Sequence, residues 1–531
     1  MKKNSKLLVA LACSALLMSC SQETMRSPAD QQAVQEVDVL LSGGRVYTGD
    51  FSFANAKEQH LDVAICQQII CGVYPHGSRK INAKTVIDVS GKIVSSGFID
   101  AHTHTLAELL SSDKNSNINY LTQGVTTVVN GNDGGGPFDI AGMRKRLLSN
   151  GIGTNTALLV GHGTLREQVM GRVQRHATAD EIKQMSALLE QGMKDGAIGF
   201  STGLYYVPQN YANTAEVIAL AKVASKYHGI YDTHIRDEST FNIGFLAALD
   251  EAINIAKAAK IHLHLAHIKA LGLDVWGQSK QAIAKIERAQ AQGVNISADQ
   301  YPWLASGTKL RSAVMPKWVM ADSNEVFYQR LNQADLATKI RAEITENIRR
   351  RGGASALQIT AFHDQALVGL TLQQVADKLA LDPVAAAIKL VQQGEVRVAS
   401  FNMSPVDVDA FMVKPWVVTS SDGTDGHPRK YASFPQKYQQ YVLNKKLLTL
   451  AQFVYQSSTH TAQVLGLKNR GILRTGYQAD IVVFDPQKYA PKANFSHWNR
   501  LSVGVEQLLV NGTLAIKQGK YLNKLAGEVV H

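Results

Sequence analysis

Between residues 93 and 420 of this 531-residue chain, eight short apolar runs alternate with amphipathic stretches. The runs are 93–99, 125–130, 157–160, 197–201, 229–233, 261–266, 294–298 and 416–420. Stretches with helical periodicity lie between them, among them 180–195, 214–227, 243–259 and 279–292. A helix between two strands returns the second strand parallel to the first, because an antiparallel neighbour needs only a tight turn. Eight such units close into a TIM-type (β/α)8 barrel, so the expected fold class is α/β.

The chain ends pattern differently. Residues 37–41, 44–47, 61–65 and 86–89, and then 479–484 and 505–510, alternate or run apolar between turn residues. The last run enters Asn511-Gly512, a strong two-residue hairpin turn. A small β-sandwich built from both ends is the simplest arrangement: 37–93 and 470–531 around a barrel at 94–469. The gap before the eighth strand is long and in large part polar and helical. It reads as an insertion, about 311–400, over the barrel's top. Three readings of it stay open: a lid, a lengthened scaffold, or a surface between chains. Arg349-Arg350-Arg351 within it reads as a solvated helix end.

The first residues are a targeting segment. Lys2, Lys3 and Lys6 precede an apolar stretch, 7–18, too short to anchor in a bilayer. Leu17-Met18-Ser19-Cys20 resembles the bacterial lipoprotein signal, in which the Cys becomes the lipidated first residue. That implies a signal at 1–19, a polar tether at 20–36 and a membrane partner through the lipid on Cys20. Ser21 after the Cys favours the outer membrane, facing the periplasm. An ordinary cleaved secretory signal is the other reading. Loss of 1–19 removes three lysines and no acid, taking the formal net charge from +11 to +8. The remaining basicity is spread out and carries no nucleic-acid-binding signature, so nucleic acid is not an expected partner. A modest positive field suits an anionic small molecule. Cys66 and Cys71 remain in an oxidising compartment, as a small hairpin disulfide or as two separate thiols.

Catalytic groups of such barrels sit at the C-terminal ends of the strands. The first run leads into Asp100-Ala101-His102-Thr103-His104. Residues i and i+2 of a strand point the same way, so His102 and His104 would project together, as half of a divalent-metal site. The second run ends in Asn132-Asp133, the fifth in His234, the sixth in His267, and the eighth in Ser421-Asp422. Four histidines and two carboxylates on one rim are more than core filler. Strand parity alone would nominate His264, which shares a face with His262, rather than His267. His162 either lines the site or is a satisfied loop histidine. The glycine run 134–136 lacks the Lys-Ser/Thr of a phosphate loop.

These motifs carry a resemblance. They are Gly97-Phe98-Ile99-Asp100-Ala101-His102-Thr103-His104, Gly161-His162-Gly163-Thr164-Leu165-Arg166, Thr233-His234-Ile235-Arg236-Asp237-Glu238, Asp299-Gln300-Tyr301-Pro302, Ser421-Asp422-Gly423 and His427-Pro428-Arg429. In that order the chain resembles the N-acyl-D-amino-acid deacylase (D-aminoacylase) family of the amidohydrolase superfamily, over about residues 37–531. The resemblance implies zinc-dependent hydrolysis of N-acyl-D-amino acids, with one or two Zn2+ per chain. It implies that His234 and His267 hold a tight zinc and that His102, His104 and Asp422 surround the catalytic and second-metal position. It nominates His267 over His264. It makes Asp422 the catalytic acid–base group, and sets Tyr206, Lys269, Tyr301, Ser306 and Arg429 around the substrate carboxylate. The family usually carries a Cys where Asp133 stands; a carboxylate also ligates zinc and can bridge two ions, but it is harder than a thiolate. Other readings are a cyclic amidase of the hydantoinase or dihydroorotase type, a dipeptidase acting on D-residues, or a tethered binding lipoprotein with a decayed site.

Overall fold

The computed structural model describes residues 35–55 and 57–531. The signal, nearly all of the tether and the lipidation position Cys20 lie outside the described residues. Eight parallel strands form one sheet in sequential order: β1 (Phe98–Thr103), β2 (Val125–Asn130), β3 (Asn155–Gly161), β4 (Gly199–Gly203), β5 (Ile230–His234), β6 (His262–Leu265), β7 (Ile296–Gln300) and β8 (Val417–Thr419). The ends meet beyond β8, where the Asp422 N–H donates to His102 O at 2.9 Å and Thr103 bridges to Gly423. This is the expected barrel. Its helices include Ala179–Lys194, Thr214–Lys226, Phe245–Ala259 and Ser279–Ala291. Ala179–Lys194 starts where it does because Thr178 and Glu181 form a capping box.

The run at 93–99 is not one strand. Ile93–Ser96 joins the other sheet, and β1 begins only at Phe98. Gly97 is the joint: its N–H donates to Asp480 O, and a Cβ there would meet Thr126 Oγ1 at 2.3 Å. Phe98 then drops into the barrel's outer core, fully buried and stacked on Phe434 at 5.6 Å. Burial of a ring like this contributes about 1.5–3 kcal/mol.

The second sheet has nine strands from both chain ends. Ile93–Ser96 pairs parallel with Gln35–Tyr47 and antiparallel with Ile481–Phe484, which sews the two ends together. Cys66 and Cys71 form a disulfide across the hairpin of Gln59–Cys66 and Ile69–Pro75. Val529–Val530 lies outside this sheet and pairs with β3.

The insertion has a core of its own, built from Leu310, Phe327, Ile340, Ile344, Leu357, Leu390 and neighbours. Besides its helices it contains a three-stranded antiparallel sheet, Ser306–Lys309, Leu357–Ala361 and Arg397–Ser400, which its polar, helical sequence concealed. The solvated reading of Arg349-Arg350-Arg351 holds for Arg349, with half its side chain exposed, but not for Arg351, which is 3% exposed. Arg351 caps the C-terminus of helix Ala334–Arg350, where the chain turns inward.

Candidate metal centre

The C-terminal rim brings the expected ligand residues together. His102 is the fifth residue of β1 and His104 lies just past it; their rings stand 5.2 Å apart. His234 ends β5, and its Nδ1 is 2.9 Å from His267 Nε2. Two groups form, each offering one atom per residue within 4.8 Å of the others: His102, His104, Asp133 and Asp422, and Asp133, His234 and His267. Asp133 belongs to both. Its Oδ1 faces His267 Nε2 at 3.4 Å and His102 Nε2 at 3.6 Å, while its Oδ2 faces His104 Nε2 at 3.6 Å.

Most of these spacings are too long for hydrogen bonds. They match another arrangement: tetrahedral ligands about 2.0–2.1 Å from a zinc ion stand roughly 3.3 Å apart. Both ring nitrogens of His102 and Oδ1 of Asp133 are buried without a hydrogen-bond partner among the described residues. Buried polar atoms demand partners. The donor set, imidazole with carboxylate, fits a divalent cation in either group and Asp133 as the bridge between them.

The backbone aims three of these candidate ligands through the left-handed region, with Asp133 at φ 56°, His267 at φ 34° and Asp422 at φ 46°. β6 stops at Leu265, so the chain has left strand parity before His267. His264 instead points into the barrel, with Nδ1 against Ser297 Oγ and Nε2 against Asp299 Oδ2. Gln209 donates to the Asp133 carbonyl at 2.9 Å and accepts from the Gly203 N–H, which fixes the loop after β2. Asp100 accepts from the backbone N–H groups of His102 and Ser421 and so locks β1 to the segment carrying Asp422. Beneath the rim His102 Nδ1 lies 3.7 Å from Asp299 Oδ2. A carboxylate behind a histidine is the usual way to orient its other nitrogen toward a metal.

Charge is balanced tightly. Burial pushes the Asp133 carboxyl up, but the His102 and His267 imidazoles hold it well below the usual carboxylate range. Burial and Lys269 push the His267 imidazole down, yet Glu238, Asp133 and Asp422 together bring it up to about 9. Burial takes His234 down to about 4. Burial also raises Asp100 to about 7 and Asp232 to about 6.

Beside the candidate ligands lies a cavity lined by Tyr206, Lys269 and Ser306 of the expected substrate residues, with His234, His267 and Asp422. Tyr301 and Arg429 reach it through neighbours. Arg429 Nη1 pairs with Asp422 Oδ2 at 2.7 Å, and its guanidinium lies 4.7 Å from the Tyr301 ring centre. Lys269 Nζ bonds Glu238 at 2.6 Å and His267 Nδ1 at 2.8 Å, and sits 5.8 Å from the same ring. Ser306 Oγ donates to Asn402. His162 stands apart, bonded to Glu216, which also pairs with Arg166. Sequence reasoning missed Glu238, although it lies four residues after His234 in a quoted motif. It also missed Asp299 as the support of His102, and Tyr205 and Arg351 on the cavity wall.

A family model described as "Amidohydrolase family" matches residues 85–516. The chain is 30% identical over 527 residues to a D-aminoacylase of Alcaligenes xylosoxydans xylosoxydans, covering 94% of this chain and 99% of that protein. It is 29% identical to an N-acyl-D-glutamate deacylase of the same organism, covering 91% and 94%. The solved structure of an N-acyl-D-glutamate deacylase from Bordetella bronchiseptica, complexed with zinc and a phosphonate mimic of the tetrahedral intermediate, superimposes with a TM-score of 0.79. That match has 29% identity and covers 93% of this chain and 100% of that one.

Proposed function

The chain belongs to the amidohydrolase family, and from that premise we propose that it hydrolyses the amide bond of N-acyl-D-amino acids, releasing a carboxylic acid and the free D-amino acid. The observation that carries this reading is the convergence of His102, His104, Asp133, His234, His267 and Asp422 on one rim, beside a cavity that His234, His267 and Asp422 line. The relatives named above act, by their names, on D-amino-acid conjugates or acidic members of that class. The solved relative holds zinc, and zinc is the ion assigned to this site, at one or two per chain.

His102, His104, Asp133 and Asp422 would hold one ion and Asp133, His234 and His267 the other. Bound there, zinc supplies a nucleophile of hydroxide strength near neutral pH and polarises the acyl oxygen. The chain's own groups do the rest. Asp422, kept ionised by Arg429 and the neighbouring imidazoles against the cost of its burial, accepts the proton released by the attacking water. It returns that proton to the departing amine nitrogen, an expelled amide being too basic to leave unprotonated. Arg429, Lys269 and the hydroxyls of Tyr206, Tyr301 and Ser306 put positive charge and donors where the amino-acid carboxylate lies. The test is a panel of N-acetyl and longer N-acyl D- and L-amino acids, with hydantoins and dipeptides, assayed for released amine. Linear D-conjugates are expected to react. Turnover of cyclic amides alone would transfer the assignment to a cyclic amidase, and preference for L-conjugates would remove the stereochemical claim.

The same proposal covers location. A chain lipidated at Cys20 would be tethered in the cell envelope, at the outer membrane and facing the periplasm. Support comes from the signal-like residues 2–20 and from the Cys66–Cys71 disulfide, which fits an oxidising compartment. Cys20→Ala is expected to leave hydrolysis intact and move the protein from the membrane to the soluble fraction. Continued membrane attachment of that variant would contradict the anchor.

A further inference from the structure

The cavity has a second cationic wall that the reaction does not use. Arg351, from the insertion, lines it while only 3% exposed. Its Nε donates to Ala313 O at 3.0 Å and its Nη2 to the Tyr205 hydroxyl at 3.3 Å. Its Nη1 is buried with no hydrogen-bond partner among the described residues. Lys317 stands beside it, with Nζ 3.5 Å from the centre of the Tyr205 ring. Its hydrogen bond goes to a backbone carbonyl, Ser312 O. Among the described residues, neither cation has a carboxylate within ion-pair distance. The acids nearby are engaged elsewhere: Glu238 with Lys269, Glu343 with Trp318, Glu346 with Arg349, and Asp237, whose charge Lys317 feels at longer range, with the backbone N–H groups of Ser239, Asn242 and Gly244.

An unpaired guanidinium nitrogen in a nearly dry wall is costly. A ligand carboxylate would satisfy it in a fork geometry. The wall is close to the metal ligands, with the Tyr205 ring centre 5.7 Å from that of His234. Lys269 and Ser306, assigned to the α-carboxylate, face the same cavity. One cavity thus carries two separate cationic positions.

We propose that Arg351, supported by Lys317 and oriented by Tyr205, binds a second carboxylate of the substrate, carried on the amino-acid side chain, so that N-acyl derivatives of acidic D-amino acids are the preferred substrates. This rests on the deacylase reading and narrows it. The test compares kcat/KM of the zinc-loaded protein for N-acetyl-D-glutamate, N-acetyl-D-aspartate, N-acetyl-D-glutamine, N-acetyl-D-leucine and N-succinyl-D-leucine. The acidic substrate is expected to exceed its isosteric amide about 30-fold or more. In Arg351→Gln that ratio should fall to within about 3-fold, Arg351→Lys should recover part of it, and Lys317→Met should lower it. A wild-type ratio near one, with N-acetyl-D-leucine turned over well, would overturn this assignment and leave the deacylase reading standing. A preference for N-succinyl-D-leucine over N-acetyl-D-leucine without one for D-glutamate would put the second carboxylate on the acyl group and overturn the side-chain assignment. No amine from any of the five would overturn both. The wild-type comparison decides even if a variant folds poorly.

Discussion

Asp422→Asn is expected to lower kcat for an N-acyl-D-amino acid about 10³-fold, with the fold unchanged. The amide is nearly isosteric with the carboxylate, so the turn at φ 46° and the backbone bond from its N–H to His102 O are retained. What disappears is the proton acceptor. Asp422 Oδ1 lies 3.1 Å from His104 Nε2 and Oδ2 lies 2.7 Å from Arg429. The other carboxylate on the cavity wall, Glu238, is held by Lys269 at 2.6 Å and faces His267 Nδ1, away from the Asp422 position. Circular dichroism and metal content, measured beside the rate, separate loss of the acid–base group from loss of metal. An undiminished rate would remove Asp422 from the role.

The second large effect is expected at Asp133. As the residue shared by both ligand groups, it should lose more when truncated than any one histidine. Asp133→Ala is expected to weaken zinc binding about 10²-fold or more, since even supporting residues around a metal are worth about 10–100-fold. Asp133→Cys should tighten binding at the position of His234 and His267, because thiolate is the softer donor. The metal-free site holds protons a cation must displace, with His267 brought up to about 9. Zinc uptake at neutral pH should therefore release protons, and apparent affinity should rise with pH through that range. Isothermal titration with a competing chelator measures all three quantities. Unchanged affinity in Asp133→Ala would exclude it as a ligand.

The sequence revealed the fold where the pattern is periodic and hid it where the backbone turns. The apolar runs located seven of the eight barrel strands to within two residues at each end, because each is buried and bounded by turns, while the first strand begins five residues after the start of its run. They could not show that the run at 93–99 breaks at Gly97, since both flanks are buried and the close approach to Thr126 that leaves no room for a side chain there is a tertiary contact. His267 was legible through its motif and invisible to parity, because β6 ends two residues earlier. The insertion's sheet was hidden by short, mixed strands such as Ser306–Lys309, whose pairing partners lie about 90 residues away. Arg351 gave no signal at all. In a run of three arginines at a helix end, which one turns inward is decided by the packing of Ala313 and Tyr205 and not by local composition.

Loaded with zinc, this rim is expected to release D-amino acids from their N-acyl conjugates. Protein stripped with a chelator and then titrated with zinc, with amine release from an N-acetyl-D-amino acid followed at each addition, tests it in one measurement. Negligible release is expected from the stripped protein, followed by a rise that saturates at one or two zinc per chain. Full activity in the metal-free protein, or zinc-saturated protein that releases no D-amino acid, would contradict it.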